Sequence, residues 1–238
     1  MNNFYFKKME SCASTNDEAW KIPNTQWPAL VSTDSQTNGR GRQGRVWSTA
    51  PGLQILATLI FKPALPPEQI TWIPVLAGIC AHEAIAAIDL GLAERLRLKW
   101  PNDLYWRDRK AGGILIENIV RGTDWIAAIA GIGININQVQ FEPSLANPVS
   151  LRQITGKTFD TLELARELCT ALDQRYRSLA STTGNPLIRE YEQVLYKIHQ
   201  PVLLKKDTVV FETTITGVSA NGALLTRDTL ERQFDFGE

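Results

Sequence analysis

The chain has 238 residues, of which 44% are hydrophobic and 21% are charged, and this suits one large globular domain or a domain with a small appendage. Its 25 basic and 25 acidic residues give a formal net charge of zero, whereas a protein that binds nucleic acid by neutralising phosphates is normally basic. The composition therefore argues against DNA as a partner and restricts any anion site to a local cluster of charge.

Cysteine, histidine and hydropathy patterns exclude further classes. Cys12, Cys80 and Cys169 are far apart and odd in number, which indicates reduced thiols in the cytosol. With only His82 and His199, a zinc site or a Ser-His-Asp triad is disfavoured. The N-terminus lacks the apolar core of a signal peptide, and no apolar run approaches the roughly 18–20 residues of a membrane span. The sequence thus predicts a cytoplasmic protein without a membrane partner.

The first part of the chain alternates helix-like and strand-like patterns. A helix is predicted to begin at residues 14–18, where capping side chains precede acidic ones. A strand at 29–33 is followed by about fifteen residues, 34–48, without apolar periodicity, and loops of that length are usually functional or disordered. A buried strand at 53–61 and an amphipathic helix at 70–88 come next.

The middle of the chain mixes strands and helices without strict βαβ alternation. Strands are predicted at 95–100 and 125–137, a hairpin at 104–106 and 113–120 around Arg107-Asp108-Arg109, and helices at 162–179 and 186–196. This order favours an α+β fold with a mixed sheet flanked by helices, over residues 1–199.

After residue 200 the pattern changes to short strand-like runs. They lie at 202–204, 209–217 and 222–227, and Asn221-Gly222 is a turn signal between two of them. Residues 200–238 are therefore predicted to form a small, separate β-barrel-like module.

Three glycines and three arginines fall within residues 39–45, here called the glycine–arginine loop. Glycine permits close approach of the backbone to a ligand, and arginine offers forked donors for carboxylate or phosphate. Composition alone leaves two interpretations balanced, a loop that closes on an anionic small ligand and a solvated or RNA-contacting basic turn. The glycine content predicts mobility that a ligand would quench, and Trp47 is expected to act as a hinge anchor or a lid wall.

The segment Lys99-Trp100-Pro101-Asn102-Asp103 follows a buried strand. Pro101 ends that strand, so that the oxygens of Asn102 and Asp103 are available at its end for Mg²⁺ or ligand hydroxyls. The pattern alone favours an ordinary turn.

Lys110 is followed by the small residues Ala111-Gly112-Gly113, so its side chain is able to reach into a pocket that they leave open. The alternative is a solvated lysine at a hairpin tip.

Two glycines interrupt the apolar strand Gly131-Ile132-Gly133-Ile134-Asn135, which indicates close approach of a ligand or another backbone. A dinucleotide-binding fingerprint fails here because its third glycine is replaced by Ile136 and no helix follows directly.

Together these motifs resemble the bacterial biotin–protein ligase family. Ser14-Thr15-Asn16, the glycine–arginine loop, 99–104 with Lys110, and 131–135 recur in the family's order, and the resemblance spans roughly residues 9–230. It implies a catalytic domain like that of class II synthetases over 1–199 and an SH3-like β-barrel over 200–238. Since only thirteen residues precede Ser14, a monofunctional ligase without the N-terminal DNA-binding domain is expected. The sequence stops at Phe236-Gly237-Glu238, whereas related barrels often continue through one more strand.

The resemblance also implies the chemistry. Biotin and ATP react, with Mg²⁺ assisting, to give biotinyl-5′-AMP and pyrophosphate. A lysine of the biotin carboxyl carrier protein of acetyl-CoA carboxylase then receives the biotin. A second copy of the chain is another possible partner, because an exposed sheet edge is able to pair two subunits into a homodimer.

The family's site residues carry over to matching positions. Lys110 and Arg42 are the expected catalytic residues, and Asp103 the expected Mg²⁺ ligand. Biotin contacts are expected from Ser14, Thr15, Asn16, Gln36, Arg40, Gly41, Arg42, Lys110, Gly112 and Gly113. ATP contacts are expected from Arg40, Arg42, Arg45, Trp47, Asn102, Asp103, Lys110, Gly131 and Asn135. Within the loop, Arg40 and Arg42 are expected to face the ligand and Arg45 to support the loop.

Three alternative functions fit the sequence less well than a biotin–protein ligase. Lipoate or octanoate transferases resemble this family in fold but need a long apolar slot and typically lack the glycine–arginine loop. An RNA-binding module is disfavoured by the neutral charge, and a dinucleotide-dependent oxidoreductase by the failed fingerprint.

Overall fold

The computed structural model describes residues 4–47, 50–63, 70–88, 90–179 and 186–236. Its first elements are β1 (Tyr5–Cys12), α1 (Thr15–Trp20), β2 (Ala29–Gln36), β3 (Gln54–Phe61), α2 (Trp72–Ala86), α3 (Leu90–Ala93), β4 (Leu96–Lys99), β5 (Asp103–Trp106), β6 (Arg109–Arg121) and β7 (Asp124–Asn135). They are followed by α4 (Leu151–Thr155), α5 (Thr161–Leu179), α6 (Pro186–Gln193), β8 (Pro201–Lys206), β9 (Val209–Val218), β10 (Leu224–Arg227) and β11 (Glu231–Phe234). Asn24–Gln26 and Arg42–Gly44 are short 3-10 turns.

A seven-stranded sheet in the order β1-β2-β3-β7-β6-β5-β4 is the frame of the larger part of the molecule. Only the β1–β2 pair is parallel, so the sheet is mixed, as the sequence predicts. All eight residues of β3 are buried because both faces of this central strand are covered.

The two faces of β3 serve different purposes. Ile55, Leu59 and Phe61 join the main hydrophobic core, to which α2 and α5 also contribute. On the other face, Ile60 packs with Ala19 of α1 in a smaller cluster, and the polar Gln54 and Thr58 share that face by the two-residue period of a strand. The face covered by α1 therefore has room for polar side chains beside the strands.

Several element predictions need correction. β1 was not predicted because exposed charged residues, Lys8 and Glu10, alternate with half-buried ones such as Met9, which is common on an edge strand. α3, α4 and β11 were also missed. The hairpin predicted around Arg107-Asp108-Arg109 is present, but its turn is Arg107-Asp108 alone, since Arg109 already pairs with Trp106 and Lys110 with Tyr105. Lys110 thus lies within β6 and not in a turn.

The C-terminal strands form an antiparallel sheet in the order β11-β10-β9-β8. In the part of the chain that the structure describes, β8 does not pair with β11, so this sheet is open and the expectation of a closed barrel is corrected. The sheet docks on the larger part through Trp100, whose Nε1 donates to the Gly222 carbonyl (2.9 Å), and through the Val218 N–H, which donates to Glu192 Oε1 (2.8 Å). The domain boundary at residue 200 stays a prediction. Among the described helices, none combines the length and the apolar character that a membrane span requires.

Candidate ligand-binding site

A cavity of about 680 Å³ opens on the α1 side of the large sheet. Its walls come from the start of α1, the glycine–arginine loop, and strands β3, β5, β6 and β7. The volume lies within the range of roughly 300–1,000 Å³ that is typical of small-molecule sites.

One end of the cavity is a buried network of neutral polar groups. The Gln36 side-chain oxygen accepts from the Thr15 N–H (2.7 Å) and lies 3.1 Å from Thr15 Oγ1. Thr58 Oγ1 lies 2.7 Å from Thr15 Oγ1 and 2.8 Å from Asn16 Oδ1. These contacts tie Thr15, Asn16 and Gln36 to one another and to β3.

The side chain of Asn16 occupies space that Gly131 leaves open. A Cβ atom added at Gly131 would collide with Asn16 Oδ1, so a larger residue there would displace the amide. Asn16 Nδ2 donates to Glu117 Oε2 (2.7 Å), which links the α1 segment to β6. The strand glycine noted in the sequence thus accommodates a neighbouring side chain.

Arg40 forms ion pairs with carboxylates that do not line the cavity. Its guanidinium donates to both oxygens of Asp17 (2.9 and 2.7 Å) and lies 3.6 Å from Glu117 Oε1. The hydrogen bond to Asp17 is the main cause that raises the pKa of Arg40. Arg40 lines the cavity, but these contacts fasten the loop to α1; its predicted contact with ligand stays a prediction.

Asp17→Asn is expected to loosen the glycine–arginine loop. Both partners are 37% exposed, and ion pairs at such sites contribute roughly 0.2–1 kcal/mol. Trypsin cleavage of the ligand-free protein within the loop should therefore accelerate about 1.5- to 5-fold. Asp173→Asn, which removes a remote i,i+4 pair with Arg177, is the control and should leave the cleavage rate unchanged. Equal rates in both variants would contradict a fastening role.

Arg42 points toward the end of the Lys99–Asp103 motif. Its Nη1 lies 3.5 Å from Asn102 Oδ1, while Asn102 Nδ2 donates to the Ile114 carbonyl (2.6 Å) and fixes the amide. Burial lowers the pKa of Arg42, and nearby Asp103 opposes the shift. Since a guanidinium stays charged in proteins, Arg42 is a partly desolvated cation, suited to an anionic ligand.

Lys110 and Asp103 meet on neighbouring strands at the same end of the cavity. Lys110 Nζ lies 2.7 Å from Asp103 Oδ1. A bulge opposite Leu104 and Tyr105 shifts the register of β6 here, and bulges commonly re-aim a side chain. The Lys110 backbone is also held on its other side, since its N–H donates to Asn147 and its carbonyl accepts from Val149 (both 2.9 Å).

Trp47 forms a wall between the two ends. A Cβ added at Gly133 would lie 2.7 Å from its indole ring, and Lys110 Nζ is 5.7 Å from the ring centroid. The indole Nε1 donates to Gln54 Oε1 (2.9 Å).

The side-chain amide of Asn135 bonds to backbone carbonyls of neighbouring segments. Its buried amide donates to the Val149 carbonyl (3.1 Å) and lies 3.4 Å from the Lys110 carbonyl.

The cavity offers few ligands for a divalent cation. Among the described residues, no three His, Cys, Asp or Glu side chains cluster as metal ligands. Asp103 is the acidic residue of the cavity lining. A single carboxylate fits Mg²⁺, which commonly keeps waters and binds through one or two carboxylates plus substrate phosphates.

The structure brings nearly all the sequence-predicted site residues to this cavity, and their individual roles stay predictions. Those that line it are Ser14, Thr15, Asn16, Gln36, Arg40, Gly41, Arg42, Arg45, Trp47, Asn102, Asp103, Lys110, Gly113, Gly131 and Asn135. Gly112 does not line it; a Cβ there would lie 2.9 Å from the Gly133 carbonyl, so this glycine serves strand packing.

Sequence analysis missed part of the lining. The missed residues include Gln54, Leu56, Tyr105, Phe141, Ser144, Leu145, Ala146 and Pro148. Most belong to the connection between β7 and α4, whose length was a usable signal, because long loops in compact domains are often functional.

Comparison with known proteins identifies the family of the chain and its fold. Residues 5–135 match the biotin/lipoate A/B protein ligase family. A biotin–[acetyl-CoA-carboxylase] ligase of Paracoccus denitrificans is 31% identical over 229 residues, which cover 92% of this chain and 93% of the relative. The bifunctional ligase/repressor BirA of Escherichia coli is 30% identical over 193 residues, 80% of this chain but 59% of the length of BirA.

Solved structures show the same fold. The biotin protein ligase of Aquifex aeolicus, in complex with biotin and ATP, superposes with a TM-score of 0.81 at 23% identity, covering 97% of this chain and 95% of that one. The biotin protein ligase of Leishmania major in complex with biotin gives a TM-score of 0.65 at 24% identity, with 99% of both chains covered.

The sequence match and the fold thus identify the class of protein, the biotin and lipoate protein ligases. The chain belongs to the biotin/lipoate A/B protein ligase family, and within it to the biotin–protein ligases.

Proposed function

We propose that the protein activates biotin with ATP to biotinyl-5′-AMP, releases pyrophosphate, and transfers biotin to a lysine of a biotin carboxyl carrier protein. The observation that carries this proposal is the division of one cavity into two ends. A neutral polar network around Thr15 and Asn16 lies at one end, and Arg42, Lys110 and Asp103 lie at the other.

The neutral end suits the head of biotin. A ureido ring is uncharged and carries both N–H donors and a carbonyl acceptor, which hydroxyl and amide groups complement. Leu56, Leu115 and Ile132 line the same cavity and offer apolar surface for the sulfur ring and the aliphatic chain. Lipoyl and octanoyl groups carry no N–H donors and no carbonyl at their far end, so a polar end of this kind favours biotin over either of them.

The cationic end suits the first chemical step. A carboxylate oxygen of biotin attacks the α-phosphorus of ATP, a new P–O bond forms, and the bond to the β-phosphate breaks with loss of pyrophosphate. Carboxylate and triphosphate repel each other, and the charges of Lys110 and Arg42 offset that repulsion while they hold the two groups in line. Asp103 orients Lys110 through their 2.7 Å contact.

The second step needs no enzyme nucleophile. The neutral amine of the acceptor lysine attacks the carbonyl carbon of the mixed anhydride, the amide bond forms, and AMP leaves. Until then the anhydride must be kept from water, and the glycine–arginine loop with the wall of Trp47 covers the place where it would lie.

Mg²⁺ is part of the proposal. It would be held by Asp103 and the phosphates, and when bound it supplies charge neutralisation to the leaving pyrophosphate. The cytoplasm as the place of reaction and a homodimer as the assembly are also proposals; sedimentation of the purified protein tests the second.

The test is to incubate the protein with biotin, Mg-ATP and a carrier domain, and to follow pyrophosphate release and biotin on the acceptor lysine. Biotin-dependent pyrophosphate release that precedes labelling is the expected result. Turnover with octanoate or lipoate but not with biotin would overturn the proposal in favour of the other branch of the family. Salt-sensitive RNA binding without pyrophosphate release would instead support a binding module.

A further inference from the structure

Gln54 is a buried polar residue at the first position of β3, in a strand that is otherwise almost entirely apolar. Its side chain is bonded at both ends: Oε1 accepts from Trp47 Nε1 (2.9 Å), and Nε2 donates to Gln138 Oε1 (2.8 Å). Gln138 Nε2 in turn donates to the Gln140 carbonyl (2.8 Å). Gln54 is 3% exposed, so these bonds are made largely away from water.

The two partners of Gln54 belong to different ligand-facing segments. Trp47 lies two residues beyond the glycine–arginine loop, and its ring lies against Gly133 in the cavity. Gln138 begins the 138–148 segment, which lines the cavity farther along with Phe141, Leu145 and Pro148. Gln54 is therefore a bridge between Trp47, beside the glycine–arginine loop, and the 138–148 segment.

The chemistry of an amide makes this bridge directional. The indole Nε1–H only donates, so it requires the oxygen of Gln54 and leaves the nitrogen for Gln138. If Trp47 moves away, the buried Gln54 oxygen loses its partner, and such a loss typically costs about 1–3 kcal/mol unless the amide reorients and abandons Gln138. A displacement of Trp47 therefore makes the hydrogen bond between Gln54 and Gln138 less favourable, and a displacement of Gln138 does the same for the bond to Trp47.

We propose that Gln54 is a positioning residue that couples the two segments, so that biotin and ATP bind with positive cooperativity. This inference rests on the proposed function. A ligand that orders either segment holds Gln54 in place, and the second ligand then spends less of its binding free energy on ordering the other segment.

The experiment measures the coupling directly. Biotin affinity is determined by calorimetry with and without α,β-methylene ATP, in which the bond that adenylation breaks is blocked; the ratio of the two dissociation constants is the coupling factor. In the wild-type protein this factor is expected to be about 10. Gln54→Leu keeps the approximate length of the side chain but removes both hydrogen bonds, and Gln138→Leu removes only the far one.

Both single variants and the double variant are expected to lower the coupling factor to below about 2, with no further loss in the double, because either change breaks the same bridge. Gln193→Leu, at an exposed position on α6, should keep the wild-type factor. Gln138 is only half-buried, so its variant tests the bridge even if Gln54→Leu does not fold.

The outcomes separate this inference from the proposed function. A merely structural Gln54 would weaken both ligands equally and leave the coupling factor unchanged, which overturns the inference alone. Wild-type protein that binds both ligands and forms adenylate but shows no coupling also overturns it alone. Wild-type protein that binds no biotin overturns both.

Discussion

Lys110→Ala is expected to reduce biotin-dependent pyrophosphate release by at least about 10²–10³-fold, the usual loss when one preorganised donor to a developing charge is removed. Lys110 Nζ lies beside Asp103 and close to the face of Trp47, at the end of the cavity where carboxylate and α-phosphate would meet. ATP–pyrophosphate exchange, with biotin saturating, measures the step without a carrier domain. Lys205→Ala, which removes an exposed lysine of β8, is the matched control and should retain wild-type exchange.

Folding must be separated from chemistry in that experiment. The alanine variant leaves Asp103 without its ion-pair partner, and a half-buried carboxylate without a partner destabilises a protein. Thermal unfolding of the variant therefore accompanies the exchange assay, and Lys110→Ala/Asp103→Asn removes the unpaired charge. Wild-type exchange in a folded Lys110→Ala protein would remove Lys110 from its proposed role. Restored exchange in the double variant would show that the charge of Asp103, not the absence of Lys110, caused the loss.

Lys110 also shows where prediction from sequence ends. The residues around it read as a polar hairpin tip, and a lone lysine at a tip is usually solvated. The structure places it within β6 because the turn is tighter and because a bulge follows. A bulge is set by tertiary pairing of three strands, and the short run Arg109–Gly113 has no local pattern that specifies it. The resemblance to a family identified the residue where periodicity did not.

The strand glycines were more readable. Two glycines in an apolar strand indicate close approach of a ligand or another backbone, but the structure places side chains there instead: Asn16 at Gly131 and Trp47 at Gly133. Which side chain fills the space depends on α1 and on the loop after β2, far away in sequence. The local sequence therefore shows that space is left beside these glycines, and only the folded structure shows which side chain fills it.

Gln54 and the 138–148 segment illustrate the opposite case. A glutamine in the run Gln54–Phe61 gives no local signal, since strands tolerate a polar residue at an end. Its two partners lie in loops 7 and 84 residues away in sequence. Because loop segments lack periodicity, their contacts follow from packing against the finished sheet, which sequence patterns do not encode.

Gly133→Ala is expected to weaken ligand binding about 5- to 150-fold, the range that corresponds to an overpacking cost of roughly 1–3 kcal/mol. The added methyl group would lie 2.7 Å from Trp47 Cε2, and since the neighbour is a rigid ring, the indole must leave its place. Its hydrogen bond to Gln54 would break with it. Calorimetric titration with biotin and with ATP measures the loss.

Gly113→Ala is the matched comparison, because its added methyl group would lie 3.3 Å from the same indole and needs only a small adjustment. Its effect on affinity should stay within a few-fold. Alanine lowers the conformational entropy of the unfolded chain relative to glycine, which stabilises the folded state. Because this gain offsets part of any packing cost, we expect the loss of thermal stability in both variants to be smaller than the loss of ligand-binding free energy. Trp47→Ala removes the obstructing ring, and adding Gly133→Ala to it should cost little more, a strongly non-additive pair. Additive losses would mean that the methyl group at position 133 obstructs the ligand itself. The loss of affinity would then not arise from the displacement of Trp47.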